Sequence, residues 1–165
     1  MSPAAGHSGS AHGLRIRPAT VDDTAEVIRL AALMYEAMGL DATGSAWRQA
    51  AATALASRLG GDAVVFVADD PGAAGRLVAT GAGVIATRLP GPANPAARVG
   101  YIQWVSTDTR WRRLGLARLI TSALIAWLRE RDVRAIELHA TPQAADLYHS
   151  LGFGPGANPG LRVRF

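Results

Sequence analysis

The chain switches several times between two hydrophobic periods. LRIRPAT (Leu14–Thr20) alternates apolar and polar residues, the period of a half-buried strand. Thr20 stands three residues before Asp23, a capping-box spacing that predicts a helix start. Ile28, Ala31, Ala32, Tyr35 and Met38 then keep helical spacing until Gly39 closes the run. A loop, LDATGSAW, leads to a second helical stretch from Ala46 to Leu59, stopped by Gly60-Gly61. DAVVFVADD, RLVATGAGVIATRL and YIQWVST read as three strands, with a Pro-rich loop, GPANPAARVG, before the third. A helix from Leu114 to Arg131 follows, with Leu116, Ile120, Ala123, Leu124, Trp127 and Leu128 on one face. RAIELHA reads as a strand, PQAADLYHSLG as a short helix, and GANPGLRVRF as a final strand.

This order of elements predicts a mixed α/β (α+β) domain around one mostly antiparallel sheet. At 165 residues the chain fits one domain, expected over 14–165, with no internal repeat. Residues 1–13, rich in Gly, Ser and Ala, read as a flexible tail without the basic and apolar regions of a secretory signal. No apolar run approaches the roughly 18 residues of a membrane span. A cytoplasmic protein without membrane partners is therefore expected.

Two absences narrow the chemistry. The chain has no cysteine, which excludes a thiolate nucleophile, Cys-ligated zinc and a disulfide framework. All 17 basic residues are arginine, which excludes a Walker A lysine, a pyridoxal Schiff base and a kinase-type lysine. GAGVIA (Gly81–Ala86) matches a dinucleotide-binding glycine pattern, but TRLPGP follows it where that motif needs a helix. Those glycines are better read as easing a twist or bulge. His139 and His149 lie on different elements without a carboxylate at metal spacing, so no metal is expected. The net charge is only +4 and the four tryptophans are scattered, which does not call for nucleic acid.

RWRRLGLARLI, Arg110 to Ile120, concentrates arginines around a glycine at a helix entry. Glycine there costs about 1 kcal/mol relative to alanine, and clustered guanidinium groups repel. Both features make sense if an anion binds there. The first amides of a helix are unpaired and carry the positive end of its dipole, and arginine supplies donors matched to phosphate oxygens. A solvated basic helix start is the alternative on this segment alone.

Arg112-Arg113-Leu114-Gly115-Leu116-Ala117 resembles the R/Q-x-x-G-x-G/A signature of the GNAT superfamily of N-acetyltransferases. AADLYHSLGF is similar to that family's second signature, and LRIRPATVDD to its opening strand and helix cap. The resemblance runs from Leu14 to Phe165. It implies a GNAT-like, mostly antiparallel sheet of six to seven strands with four helices on its two faces. It also implies an acetyl-CoA-dependent N-acetyltransferase, with acetyl-CoA as donor and a primary amine of a small molecule or peptide as acceptor. Backbone groups of Val105, Ser106 and Thr107 would bond the pantetheine arm. Amides along Arg112, Arg113, Leu114, Gly115, Leu116, Ala117 and Arg118 would hold the pyrophosphate. Thr141 stands where the family often has a cofactor-binding asparagine, and Tyr148 matches the tyrosine near the thioester sulfur. Family members are often dimers, so a homodimer stays open.

A neutral tyrosine, with a pKa of about 10, can protonate a departing thiolate at pH 7. An N–H near Val105 is a candidate donor to the acyl oxygen. With no cysteine, acetyl transfer by direct amine attack is expected, without a thiol acetyl-enzyme. YIQWVST lacks the glutamate that some relatives carry there; Tyr101, Gln103, Glu36 and Asp41 lie within conceivable reach, and none is singled out as base. Asp108 reads as a turn or cap residue. The loops Gly39–Trp47, Gly91–Gly100 and Gly154–Leu161 are expected to build the acceptor side, where Tyr35, Met38 and Trp47 could line an apolar pocket. Two rival readings are a non-catalytic acyl-CoA sensor of the same fold and a small nucleic-acid binder.

Overall fold

The computed structural model describes residues 10–11, 13–156 and 160–165. Apart from residues 10, 11 and 13, the expected N-terminal tail lies outside them. Six strands follow one another in space in chain order. β1 (Ser10–Ala11) is a two-residue antiparallel pair on the edge of β2 (Leu14–Pro18). Five strands form the continuous sheet: β2, β3 (Ala63–Asp69), β4 (Leu77–Thr87), β5 (Arg98–Thr107) and β6 (Ala135–Glu137). Their pairings are antiparallel except for β5 with β6, which is parallel. Four α-helices complete the mixed α/β fold: α1 (Thr24–Ala37), α2 (Ser45–Arg58), α3 (Leu116–Arg129) and α4 (Ala145–Ser150). None is long and apolar enough to cross a membrane.

The expected six to seven strands are corrected to this five-strand sheet with its short edge pair. The predicted last strand, GANPGLRVRF, is not one: 160–165 run without strand pairing, and Leu161, Val163 and Phe165 are exposed. Alternation alone does not make a strand when neither face finds a partner to bury it.

Alternation in β3 divides the core. Val64, Phe66 and Ala68 pack with Leu116, Ile120, Leu124 and Leu128 of α3, while Val65 and Val67 pack with Val27, Leu30 and Leu55 of α1 and α2. A strand covered on both faces reads as an unbroken apolar run, which is how DAVVFVADD looks in sequence. At the β2 end, Arg17 grips Asp23 at 2.8 and 2.9 Å and Asp69 at 2.7 and 2.9 Å. Asp23 also accepts the Thr20 amide at 2.8 Å, completing the predicted helix entry.

β4 carries the glycines that resembled a nucleotide motif. A Cβ on Gly81 would stand 2.5 Å from Ile120 Cγ2 and 3.2 Å from Leu124 Cδ1, so glycine lets α3 seat directly on the sheet. The ladder beside it is irregular: Thr80 pairs with Ser106, but Ala82 pairs with Gln103. Gly81 therefore faces Trp104 and Val105 together, a β-bulge in β5. Trp104 adopts the left-handed region, φ 56°.

Candidate active site

The bulge changes which way β5 points at its C-terminal end. Parallel pairing with β6 covers Val99, Gly100 and Tyr101 and stops at Tyr101 with Glu137. Beyond it the two segments separate, and RAIELHA, read as a full strand, is paired only over Ala135–Glu137. The backbone from Gln103 to Thr107 is paired with β4 on one side and faces the opening on the other.

A cavity of about 790 Å³ fills the far part of that opening. Its wall includes Val105, Ser106, Thr107, Arg112, Arg113, Gly115, Leu116, Ala117, Arg118, Thr141 and Tyr148, beside residues of α1 and α4 that were not expected there. The named residues are those singled out in the sequence, with the exception of Leu114. The predicted helix start at Leu114 moves to Leu116 because residues on both sides of Leu114 leave helical backbone. Arg113 and Gly115 both take left-handed backbone, φ 66° and 79°. Glycine does so at no steric cost, and Arg113 does so against its preference. The first intrahelical bond is from Leu119 N–H to the Gly115 carbonyl, so the amides before it are the unpaired donors of the helix end.

The arginines divide their work. Arg112 Nε donates to the Thr107 carbonyl at 3.3 Å, tying the loop to β5. Arg118 donates to Ser150 Oγ at 2.7 Å, tying α3 to α4. Arg113 has no side-chain partner among the described residues and stands on the cavity wall. Asp108 accepts the Arg110 amide at 3.4 Å and meets Arg29 at 3.5 Å, a cap as expected.

Tyr148 is 8% exposed and packs edge-on against Phe153, centroids 5.9 Å apart. Burial pushes its phenol above the ordinary value of 10.0, which keeps the proton on oxygen at neutral pH.

A second cavity, about 410 Å³, opens on the other side of Tyr148. Met34, Met38, Val105, Thr141, Ala144 and Tyr148 line both. Tyr35, Tyr101, Gln103, Trp104, His139, Arg162 and Arg164 line only the second. Trp104 Nε1 donates to Tyr35 Oη at 2.9 Å, and Tyr101 Oη lies 2.7 Å from His139 Nδ1. Among the loops expected here, Gly39–Trp47 contributes Leu40 alone and Gly91–Gly100 contributes nothing. Gly154–Leu161 falls partly outside the described residues, and none of its described residues lines this cavity. Trp47 is a packing residue, edge-on to Tyr35 at 5.7 Å with its Nε1 bonded to the Ala42 carbonyl at 3.2 Å. Glu36 and Asp41 line neither cavity; Asp41 instead accepts from Thr43 N–H and Oγ1.

Sequence reasoning missed His139, Trp104, Arg162 and Arg164. His139 had one signal: in extended chain it shares a face with Thr141, two residues on. Among the described residues no cluster of three or more His, Cys, Asp or Glu could hold a metal ion.

The model of the acetyltransferase (GNAT) family matches residues 27–153. No curated protein sequence matches the chain. Three similar solved structures carry the same fold at low identity. A predicted acetyltransferase from Clostridium acetobutylicum, solved with acetyl-CoA, has a TM-score of 0.79 at 20% identity, over 92% of this chain and 96% of that one. A GCN5-related N-acetyltransferase from Ralstonia eutropha has a TM-score of 0.77 at 24% identity, over 92% and 99%. Glucosamine-6-phosphate N-acetyltransferase from Arabidopsis thaliana has a TM-score of 0.71 at 18% identity, over 91% and 97%.

Proposed function

The chain belongs to the GNAT acetyltransferase family, and from that premise we propose that it transfers an acetyl group from acetyl-CoA directly to a primary amine of a small molecule or peptide. The observation that carries the reading is the pair of cavities meeting at Tyr148, one of them walled by an unpaired helix entry. The first cavity fits acetyl-CoA by its donor set. The left-handed turn at Arg113 and Gly115 leaves amides exposed for a pyrophosphate, and Arg113 adds an unengaged cation. The free edge of β5 from Val105 to Thr107 suits the amide groups of a pantetheine arm.

Bound acetyl-CoA supplies an acetyl thioester. This chain's residues would do the rest. The amine nitrogen attacks the carbonyl carbon, the carbon–sulfur bond breaks, and Tyr148 donates its proton to the sulfur. The amide of Val105 stabilises charge growing on the acyl oxygen. The proton that the amine loses passes to solvent water through the second cavity, where no carboxylate is among the described lining residues. No cysteine exists to carry the acetyl group.

A thermal melt with and without acetyl-CoA tests the cofactor. At about 100 times the dissociation constant, binding adds about 2.7 kcal/mol. For a domain of this size that is a shift of roughly 5–11 °C. Thiol release with an amine panel then tests the chemistry. A shift without turnover of any amine favours the acyl-CoA sensor, and no shift at millimolar acetyl-CoA sinks both readings.

A further inference from the structure

The second cavity has a charge pattern that the proposed reaction does not require. Arg162 and Arg164 reach its wall from the C-terminal segment, and no Asp or Glu is among its lining residues. Neither arginine has a carboxylate partner among the described residues. Glu137, two residues before His139, is already held by Arg88 in a two-pronged pair at 2.9 and 2.7 Å. Other arginines of the chain that approach a carboxylate are paired with it, as Arg17, Arg29 and Arg58 are. Two guanidinium groups at one cavity, neither neutralised by a carboxylate among the described residues, are therefore an available anion site.

The polar groups beside them are oriented in the same sense. Arg162 Nη2 approaches His139 Nε2 at 3.4 Å. Arginine can only donate, so Nε2 is the acceptor and the ring proton lies on Nδ1. Nδ1–H then donates to Tyr101 Oη at 2.7 Å, which leaves the tyrosine hydroxyl proton free to donate elsewhere. That end of the cavity thus presents donors: two guanidinium groups and a phenol. The opposite end, walled by Val105, Thr141 and Tyr148, is shared with the first cavity.

We infer that the acceptor is a primary amine that also carries an anionic group, a carboxylate or a phosphate, gripped by Arg162 and Arg164 with its amine directed to the Tyr148 end. A cationic amine such as a polyamine would meet two like charges with no carboxylate among the described lining residues, while an anion on the same molecule forms charge-assisted hydrogen bonds with both. This inference rests on the transferase reading above.

The test uses matched amines on the full chain with CoA bound, read by thermal shift, and with acetyl-CoA, read by thiol release. The panel is 2-aminoethyl phosphate against ethanolamine, and 4-aminobutyrate against pentylamine and 1,4-diaminobutane. The anionic member of each set is expected to give the larger shift and at least about a tenfold higher kcat/KM, carried by KM. The phosphate and carboxylate arms report which anion is preferred. In the Arg162→Gln/Arg164→Gln double variant the ratio within each set falls toward one. Arg58→Gln, which removes a distant positive charge, keeps the wild-type ratio and so separates local contact from net charge. Neutral or dicationic amines that match the anionic ones, or a preference that survives the double variant, overturn the inference. Because the thermal arm needs no turnover, a panel of poor acceptors still decides. An acetyl-CoA shift without anion preference refutes this inference alone; absence of that shift refutes the transferase reading and this inference with it.

Discussion

The two cavities meet at Tyr148 yet are built in opposite ways. The first takes just over half of its wall from one continuous stretch, the end of β5 through the first turn of α3, and completes it with α1 and the segment from Thr141 to Tyr148. The second draws on α1, β5, the segment after β6 and the C-terminal residues. A turn that binds an anion through its own backbone can be written in a few consecutive residues. A pocket that recognises a particular acceptor is assembled from distant ones. The first is also braced by a seated helix, whereas the arginines of the second lie on exposed chain without strand pairing.

That contrast can be broken at its foundation. Gly81→Val would push a branched side chain into Ile120 and Leu124, costing about 3 kcal/mol and lowering Tm by roughly 6–12 °C. Acetyl-CoA affinity should fall with it, since α3 carries the amides. A melting temperature within about 2 °C of wild type would mean that α3 can retreat without loss. Next in size, Tyr148→Phe should lower kcat about 100-fold and leave the dissociation constant for acetyl-CoA unchanged. An unchanged kcat would move the proton donor away from the junction.

A smaller effect is expected at the helix entry. Gly115→Val places a branched residue at φ 79°, at about 1–2 kcal/mol, and should weaken acetyl-CoA about tenfold. Gly115→Asn, which tolerates left-handed backbone, should weaken it less; equal losses would point to side-chain bulk instead. The smallest effect is remote from both cavities. Arg17's hydrogen bonds hold the Asp23 carboxyl below its ordinary value of 3.8, against the opposing effect of burial. A depressed folded value means that this stabilisation is full above about pH 5 and fades as pH falls through the folded pKa. Arg17→Gln should flatten that acid limb by about 1 kcal/mol or less, without altering ligand affinity in either cavity.

Legibility in the sequence followed the same division. The helix entry, the stretch Val105–Thr107 and Tyr148 were singled out through the family resemblance, and they line one cavity. Leu114 was grouped with them by position in the motif, but it precedes the left-handed Gly115 and does not line the wall. Asp108 and the Thr20–Asp23 entry were readable because a cap is a contact between near neighbours in the chain. Of the described residues in the expected acceptor loops only Leu40 lines the second cavity, because glycine and proline content signals a loop without saying which way it faces. GLRVRF was read as part of a strand from its alternation, while the fold puts Arg162 beside His139 and both of its arginines on the wall of the second cavity.

Sequence alone was enough for the strands and helices from β2 to α4, for the glycine-marked helix entry and for the absence of thiol chemistry. Each of these depends on chain neighbours or on composition. Only the tertiary structure decided that Gly81 faces the Trp104–Val105 bulge, that β5 and β6 part beyond Tyr101, and that Arg162 and Arg164 meet Tyr101 and His139 in one cavity. Those are contacts between residues tens of positions apart, fixed by how helices seat on a twisted sheet, and no local pattern of side chains encodes them.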